Sequence, residues 1–510
     1  MTNSAQPVSQ SGVRDGARSV LIICVMIATL MQALDTTIAN VALPYMQGSL
    51  AATSDQISWV LTSYIVAAAI MTSPVGWLSL RYGRRAVFLT SVAGFTLASI
   101  LCGVAATIDQ MVVFRLLQGV FGAALIPLSQ AILLDTFPKN EQAKAVAMWG
   151  LAVTIGPILG PTLGGYFTEY FNWRLVFFIN VPLGLLSFTG LWFLLRDPDG
   201  SPKAPLFDWR GFFFLSCAIG AFQMMLDRGE LVGWFESSEI MIEAGIAAVM
   251  MYLFIIHIFT WSKPFIDRTL FADRNFAVGC ILMFIVYGTM MSILSLMTPF
   301  LQTLSGYPVL TAGILMAPLG AGTMVAMLTV SRLLRRFTPR SVILVGLVFL
   351  LYAVSMMRGF TPDVSVSSIV MAGALEGVGV GLIVVPLTAL AFATLAHTQR
   401  TAAASVITLL RNIGGAIGIS AMNFLISRNE QIVHEHLVQH VTAVNPLFRF
   451  NAMATYWNPT TQAGLSALND EIDRQAAIIS FNNDFHLLMM LVMAIFPMLL
   501  VLKAPKAGKK

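Results

Sequence analysis

Residues 19–43 read SVLIICVMIATLMQALDTTIANVAL, a run in which Asp35 is the one charged residue. A helix crossing the hydrocarbon of a bilayer needs about 20 mostly apolar residues, and this run is long enough. The apolar core of a cleavable leader is shorter and cleaner, so the run is expected to stay in the mature chain as a first membrane span.

The pattern recurs along the 510 residues. Further spans are expected at 57–79, 85–106, 109–134, 142–166, 174–195, 209–227, 238–261, 276–301, 309–331, 341–358, 366–393, 401–426 and 485–503, which makes fourteen in all. Charged residues are 11% of the chain and hydrophobic ones 57%, whereas soluble domains carry about 25% charged residues. A soluble enzyme, a disordered scaffold and a fibrous protein are excluded together. The expected fold is an all-α polytopic membrane protein. The net charge of +5 is not a nucleic-acid footprint, because the basic residues fall in short loops between apolar runs. Cys24, Cys102, Cys217 and Cys280 all lie inside apolar runs, which argues against a disulfide framework or a zinc site.

The placement of Lys and Arg predicts orientation. With the N-terminus in the cytoplasm, the inner segments hold most of them, including Arg81, Arg84 and Arg85, then Arg332, Arg335, Arg336 and Arg340, then Lys503, Lys506, Lys509 and Lys510. The outer segments hold Arg174, Arg228, Arg358, Arg428, Arg449 and Arg474. Both termini are therefore expected inside the cell.

The chain also repeats itself. Basic loops follow spans two and ten. Gln118-Gly119-Val120 with Pro127-Leu128 in span four matches Glu376-Gly377-Val378 with Pro386-Leu387 in span twelve. Span five is glycine-rich, and so is span thirteen at Gly414, Gly415 and Gly418. All three matches are eight spans apart. The organisation read from this is a tail 1–18, a six-helix half 19–195, a linker with inserted spans seven and eight at 196–261, a second half 262–503 containing an outer segment 427–484, and a tail 504–510. Repeated halves around a midplane site are a usual build of secondary transporters.

Ionisable residues deep in such spans are functional candidates, because charge in hydrocarbon is costly. At about 1.5 Å per residue, Asp35 and Arg115 share a depth, roughly 12 and 9 Å from the outer ends of their helices. A pair there would offset the cost of burying each and could serve as a proton site; a static interhelical tie is the alternative. Glu376 lies roughly 15 Å deep and reads equally as a second proton site, a contact for a cationic substrate or a protonated acid bonded to backbone. Arg411, with Asn412 beside it, can receive an anionic substrate group or hold helices together. Gln32, Asn40 and Gln118 are the other polar candidates for a substrate cavity. Asp135 reads as a helix-end residue and Glu243 as interfacial.

In span five, Gly156-Pro157-Ile158-Leu159-Gly160-Pro161-Thr162-Leu163-Gly164-Gly165 would break a soluble helix. In a membrane, small residues let backbones approach, which suits either a moving contact or tight static packing. The Gly377–Gly381 run lacks a preceding strand, so it reads as packing and not as a phosphate loop. His434, His436 and His440 in the outer segment read as a solvated helical face in preference to a metal site. That segment is long enough to contact a partner or to gate the outer mouth.

These motifs resemble those of the fourteen-helix drug:proton antiporters of the major facilitator superfamily, the EmrB/QacA type. Leu34-Asp35-Thr36-Thr37-Ile38-Ala39-Asn40-Val41-Ala42-Leu43-Pro44 resembles their first-span signature. Gly76-Trp77-Leu78-Ser79-Leu80-Arg81-Tyr82-Gly83-Arg84-Arg85 resembles the loop 2–3 motif, Arg115 to Gly122 the span-four motif, and the Gly-Pro run the antiporter motif; Asn172-Trp173-Arg174 through Asn180-Val181-Pro182 also fits. The likeness covers essentially the whole chain. One departure is Leu80, where the loop motif usually has an acid, so a charge relay through that position lacks its carboxylate.

The resemblance implies two related six-helix halves and export of varied hydrophobic compounds in exchange for protons. It further implies a bacterial inner membrane, a periplasmic adaptor of the EmrA type and an outer-membrane channel such as TolC. It carries proton-coupling roles to Asp35, Arg115 and, less directly, Glu376. The energy source is then the proton gradient, with no cofactor and no metal. A rival within transport is an importer or facilitator of a small polar solute, which would want a denser polar lining. A rival from another class is a membrane enzyme or sensor, for which no metal cluster, nucleophile elbow or phosphate loop is present in the sequence.

Overall fold

Almost every apolar run has become helix. The computed structural model describes residues 15–138, 141–196, 206–262, 264–396, 399–441, 457 and 461–499, without the side chains of 15, 16, 54, 55, 157, 158, 161, 309 and 310. Among the described residues there is no strand.

The first half comprises α1 (Asp15–Ser49), α2 (Ser54–Thr72), α3 (Val75–Tyr82), α4 (Arg84–Val104), α5 (Ile108–Gly122), α6 (Leu125–Thr136), α7 (Gln142–Tyr170), α8 (Leu175–Phe178) and α9 (Asn180–Leu194). Next come α10 (Trp209–Arg228) and α11 (Ser238–Thr260). The second half holds α12 (Thr269–Ala272), α13 (Arg274–Pro299) continued by a π-helical turn Phe300–Leu304, α14 (Val309–Leu333), α15 (Pro339–Met357), α16 (Val366–Phe392), α17 (Arg400–Val438) and α18 (Gln462–Met498).

Local chemistry sets many of the boundaries. Thr53 and Gln56 form a reciprocal capping box at the start of α2. Thr107, Asp208, Asp273, Thr338 and Ser365 each accept a backbone N–H at a helix start. The second expected span is bent by 56° between α2 and α3, where Pro74 removes a backbone donor. Gly83, with φ +85°, turns α3 straight into α4, a conformation that side chains with a Cβ rarely adopt.

Twelve helices among the described residues are long and apolar enough to cross a membrane, or up to thirteen with the bent pair as one span. The expected fourteen is therefore not reached by that count. The remaining run is α7, helical over Gln142–Tyr170 but with three side chains outside the described set. Span four is interrupted at Ala123–Ala124, between α5 and α6. The last two spans are longer than expected, with α17 running on to Val438 and α18 beginning at Gln462. Much of the segment 427–484 is thus two helical extensions, and 442–456 and 458–460 lie outside the described residues.

The packing repeats as the motifs do. In the first half α1 lies on α7, α2 on α5, and α4 on both α5 and α9; in the second, α13 lies on α17, α14 on α16, and α15 on both α16 and α18. The inserted helices α10 and α11 pack on each other, and α10 also touches α2 and α17, one from each half.

With the end of the molecule where α1 begins called the inner end and the opposite end the outer, the buried apolar clusters reveal which end is shut. One contains Leu34, Ile38, Met46, Ile57, Val60 and Phe177, all from the outer half of the first repeat, with no member from the second. The largest instead joins Leu134, Val146, Ala147 and Leu151, at the inner ends of α6 and α7, to the core of the second repeat. The halves are fused at the inner end.

Candidate functional site

The first candidate pair meets as depth arithmetic requires. Arg115 Nη1 donates to Asp35 Oδ2 at 2.6 Å, with both side chains wholly buried. The other carboxylate oxygen, Oδ1, accepts from Gln118 Nε2 at 2.8 Å and from Asn180 Nδ2 at 3.2 Å. Arg115 also donates through Nε to the Val60 carbonyl at 3.0 Å and through Nη1 to Gln118 Oε1 at 2.8 Å. Its guanidinium lies 4.2 Å from the centre of the Tyr64 ring and 5.7 Å from that of Phe177, where a ring face attracts a cation.

Four helices build this network: α1 supplies Asp35, α5 supplies Arg115 and Gln118, α9 supplies Asn180, and α2 supplies Val60 and Tyr64 beside the guanidinium. Outside that shell, Asn180 donates to Ser99 Oγ, which donates on to the Phe177 carbonyl. Buried charge is tolerable when paired and hydrogen-bonded, and both conditions are met. Arg115 Nη2 and Asn180 Oδ1 have no partner, so two more polar valences are available at the edge of the network.

Gln32 is buried one turn toward the inner end of α1, and its Oε1 accepts from the backbone N–H of Ile126 at 3.2 Å. That N–H lies in the first turn of α6, where the α5–α6 break leaves donors without intrahelical partners. The Ile126 carbonyl accepts from Trp149 Nε1 at 3.3 Å. Trp149 in turn faces Arg411, whose guanidinium is 5.3 Å from its ring, 4.6 Å from the Tyr287 ring and 3.3 Å from the Tyr287 hydroxyl. Arg411 therefore reaches across the seam between the halves.

Glu376 is 1% exposed, and its Oε1 has no hydrogen-bond partner. The guanidinium of Arg411 is turned elsewhere, so these two candidates do not form a second copy of the Asp35–Arg115 pair. Asn40 and Asn412 are exposed, and neither joins the buried network. Glu243, near the start of α11, is buried, with Oε2 unpartnered.

The glycines of α7 explain how α1 is held. A Cβ on Gly156 would lie 2.5 Å from the Ala33 carbonyl carbon, one on Gly160 would lie 2.1 Å from Thr37 Oγ1, and one on Gly164 would lie 3.1 Å from the Ile38 carbonyl oxygen. Spaced by four, these glycines form one face pressed on the backbone either side of Asp35. Gly165 has nothing within 4 Å of such a Cβ and does not share the contact. Pro157 and Pro161 lie within α7, but their side chains are outside the described residues.

At the inner end the structure joins residues that the sequence kept apart. Asp135, which reads as an ordinary helix-end acid, pairs with Arg84 through Oδ2 and accepts from Arg400 Nη1 at 2.6 Å through Oδ1. Arg400 opens α17 in the second half, so Asp135 bridges the repeats. Close by, a Cβ on Gly76 would sit 2.8 Å from Ala402 Cα, and one on Gly150 would sit 2.6 Å from Met327 Cε. Both contacts also cross between the repeats. Asp135 supplies the carboxylate at this contact. His434, in the outer extension, bonds Asp473 at 2.6 Å.

Two halves of like packing, a buried ion network within one and a seam between them are the build of a membrane transporter. The chain belongs to the major facilitator superfamily, whose model matches residues 25–419. Among its relatives are the fatty acid resistance protein FarB of Neisseria gonorrhoeae, 33% identical over 94% of this chain and 95% of that one. The multidrug export protein EmrB of Escherichia coli K12 is 34% identical, covering 92% and 93%. The proton:xylose symporter XylE shares the fold, with a TM-score of 0.60 at 12% identity over 95% of this chain and 97% of that one.

Proposed function

We propose that this protein exports hydrophobic toxic compounds across the bacterial inner membrane in exchange for protons, by alternating access. The single observation that carries the reading is the sealed Asp35–Arg115–Gln118–Asn180 network, in a chain related along nearly its whole length to proteins named for multidrug export. The protein has fourteen spans on this reading, α7 being one of them, and both termini are cytoplasmic.

A proton arriving on Asp35 removes the charge that holds Arg115, so protonation and the docked guanidinium compete for the same oxygens. With Asp35 wholly buried and the inner end shut, exchange with water requires α1 and α5 to part, which ties proton movement to a change of shape. Asp35 and Arg115 form the primary coupling pair, and Glu376 is a second acid available to a proton or a cationic compound. Gln32, Gln118, Arg411, Asn40 and Asn412 line the route taken by the substrate. Gly76, Gly83 and Arg84 shape the inner lock, while Gly156, Gly160 and Gly164 keep α1 and α7 close enough to slide.

One charge crossing 100 mV yields about 2.3 kcal/mol, and about 1.4 kcal/mol is tenfold in an equilibrium. One proton per neutral compound thus sustains a gradient of about 45-fold before any pH difference is counted. A single carboxylate is enough. The outer helical extensions supply a surface for a periplasmic adaptor of the EmrA type, and through it a TolC-type channel.

The test is Asp35→Asn in proteoliposomes with an imposed pH gradient. Uphill transport of a hydrophobic cationic dye should vanish while the protein stays folded. Retained proton-driven uptake in that variant would remove Asp35 from the mechanism.

A further inference from the structure

We propose that the inner end of α14 is a binding site for the phosphate of an anionic phospholipid. Thr329, Arg332, Leu333, Arg335, Arg336 and Phe337 line a recess there of about 680 Å³. Among the described residues, none of its three guanidinium groups takes part in an ion pair.

The internal repeat shows why this is unusual for the molecule. In the equivalent loop of the first half, Arg84 is paired with Asp135, and Arg85 donates to the Trp192 carbonyl with its guanidinium 5.5 Å from the Trp192 ring. Counting on from the Gly119/Gly377 match, the second-half counterpart of Asp135 is Ala393; counting from the Pro127/Pro386 match, it is Thr394. Either way the carboxylate that anchors the first loop is missing from the second. Three cations are left facing outward around the recess, and no carboxylate among the described residues is paired with them.

The hollow has the chemistry of a membrane boundary. Three planar guanidinium forks suit phosphate oxygens, while the Thr329 hydroxyl is spent on the Val325 carbonyl at 2.8 Å. Half-buried Leu333 and exposed Phe337 give the recess an apolar wall, which a free ion would not use but a glycerol and the first methylenes of an acyl chain would. Clusters of basic residues just beyond the cytoplasmic end of a membrane helix are suited to anionic lipid head groups. The assignment of this end to the cytoplasmic leaflet rests on the orientation proposed above.

Native mass spectrometry of the detergent-solubilised full chain tests the site without depending on orientation or transport. The protein is titrated separately with phosphatidylglycerol, phosphatidylcholine and inorganic phosphate. Phosphatidylglycerol should be retained in preference to phosphatidylcholine, and millimolar phosphate should not displace it. Arg332→Gln/Arg335→Gln/Arg336→Gln should weaken its retention about 100-fold, at about 1 kcal/mol per basic residue. Arg428→Gln/Arg474→Gln, which removes charge from the outer extensions, should leave retention unchanged. If the triple variant does not fold, Arg335→Gln alone should weaken retention about fivefold. Equal retention of both lipids, displacement by phosphate, or wild-type retention in the folded variants would each overturn the proposal.

Discussion

Asp35 is held by three side chains from two other helices, and removing any one leaves a buried polar group in want of a partner. Truncating one member of a buried ion pair costs about 3–5 kcal/mol. Arg115→Gln should therefore lower the thermal unfolding midpoint clearly in detergent, and Asp35→Asn/Arg115→Gln should recover part of the loss, since no lone charge then remains. A double variant no more stable than Arg115→Gln would mean that the pair contributes little beyond packing. Asp35 and Arg115 were legible in the sequence because the helical rise converts residue number into depth. Asn180 was a weaker signal, a lone amide in an apolar run that had to find a partner somewhere. Tyr64, Ser99 and the Val60 carbonyl carried no signal, since hydroxyl groups and carbonyls are common in every span.

Among the elements, the contact between α1 and α7 is the one on which the site depends. Gly160→Ala would drive a methyl group into Thr37 Oγ1 and push the helices apart. It should cut transport at least tenfold, and Gly160→Ala/Thr37→Ala should restore part of it, because the double variant removes the obstructing oxygen. Gly165→Ala, beside open space, should behave as wild type. Initial rates in proteoliposomes decide all three. The glycine-rich composition of α7 was plain in the sequence, but which glycines touch α1 was not, because only the helical phase against a neighbour distinguishes Gly164 from Gly165. The bend at Ser73–Pro74 also divides a run that hydropathy alone reads as continuous. Hydropathy reports apolar length and is blind to a bend.

For the whole molecule, the inner lock sets the shape described here. Arg400→Gln removes the guanidinium that ties the second half to Asp135. Spin labels placed on the inner ends of α6 and α17 should then move apart, with a larger population at long distance in double electron–electron resonance; an unchanged distribution would mean that apolar packing alone keeps this end shut. Orientation has its own check. Arg474→Cys should react with an impermeant maleimide in intact spheroplasts, whereas Arg335→Cys should react only after permeabilisation. The two-half organisation could be read from repeated motifs, but Asp135 and Arg400 are 265 residues apart. No local pattern connects them.

α17 has a geometry of some consequence for such a machine. Its 39 residues form one uninterrupted rod about 58 Å long, nearly twice the ~30 Å of bilayer hydrocarbon. Arg400 sits at its foot, Arg411 partway up, and it packs against α18. A rod of that length is a lever: pivoting by about 10° would swing its tip by about 10 Å, given its length. Release of a single ion pair at the foot would thus be legible, as a displacement several atoms wide, to anything resting on the head.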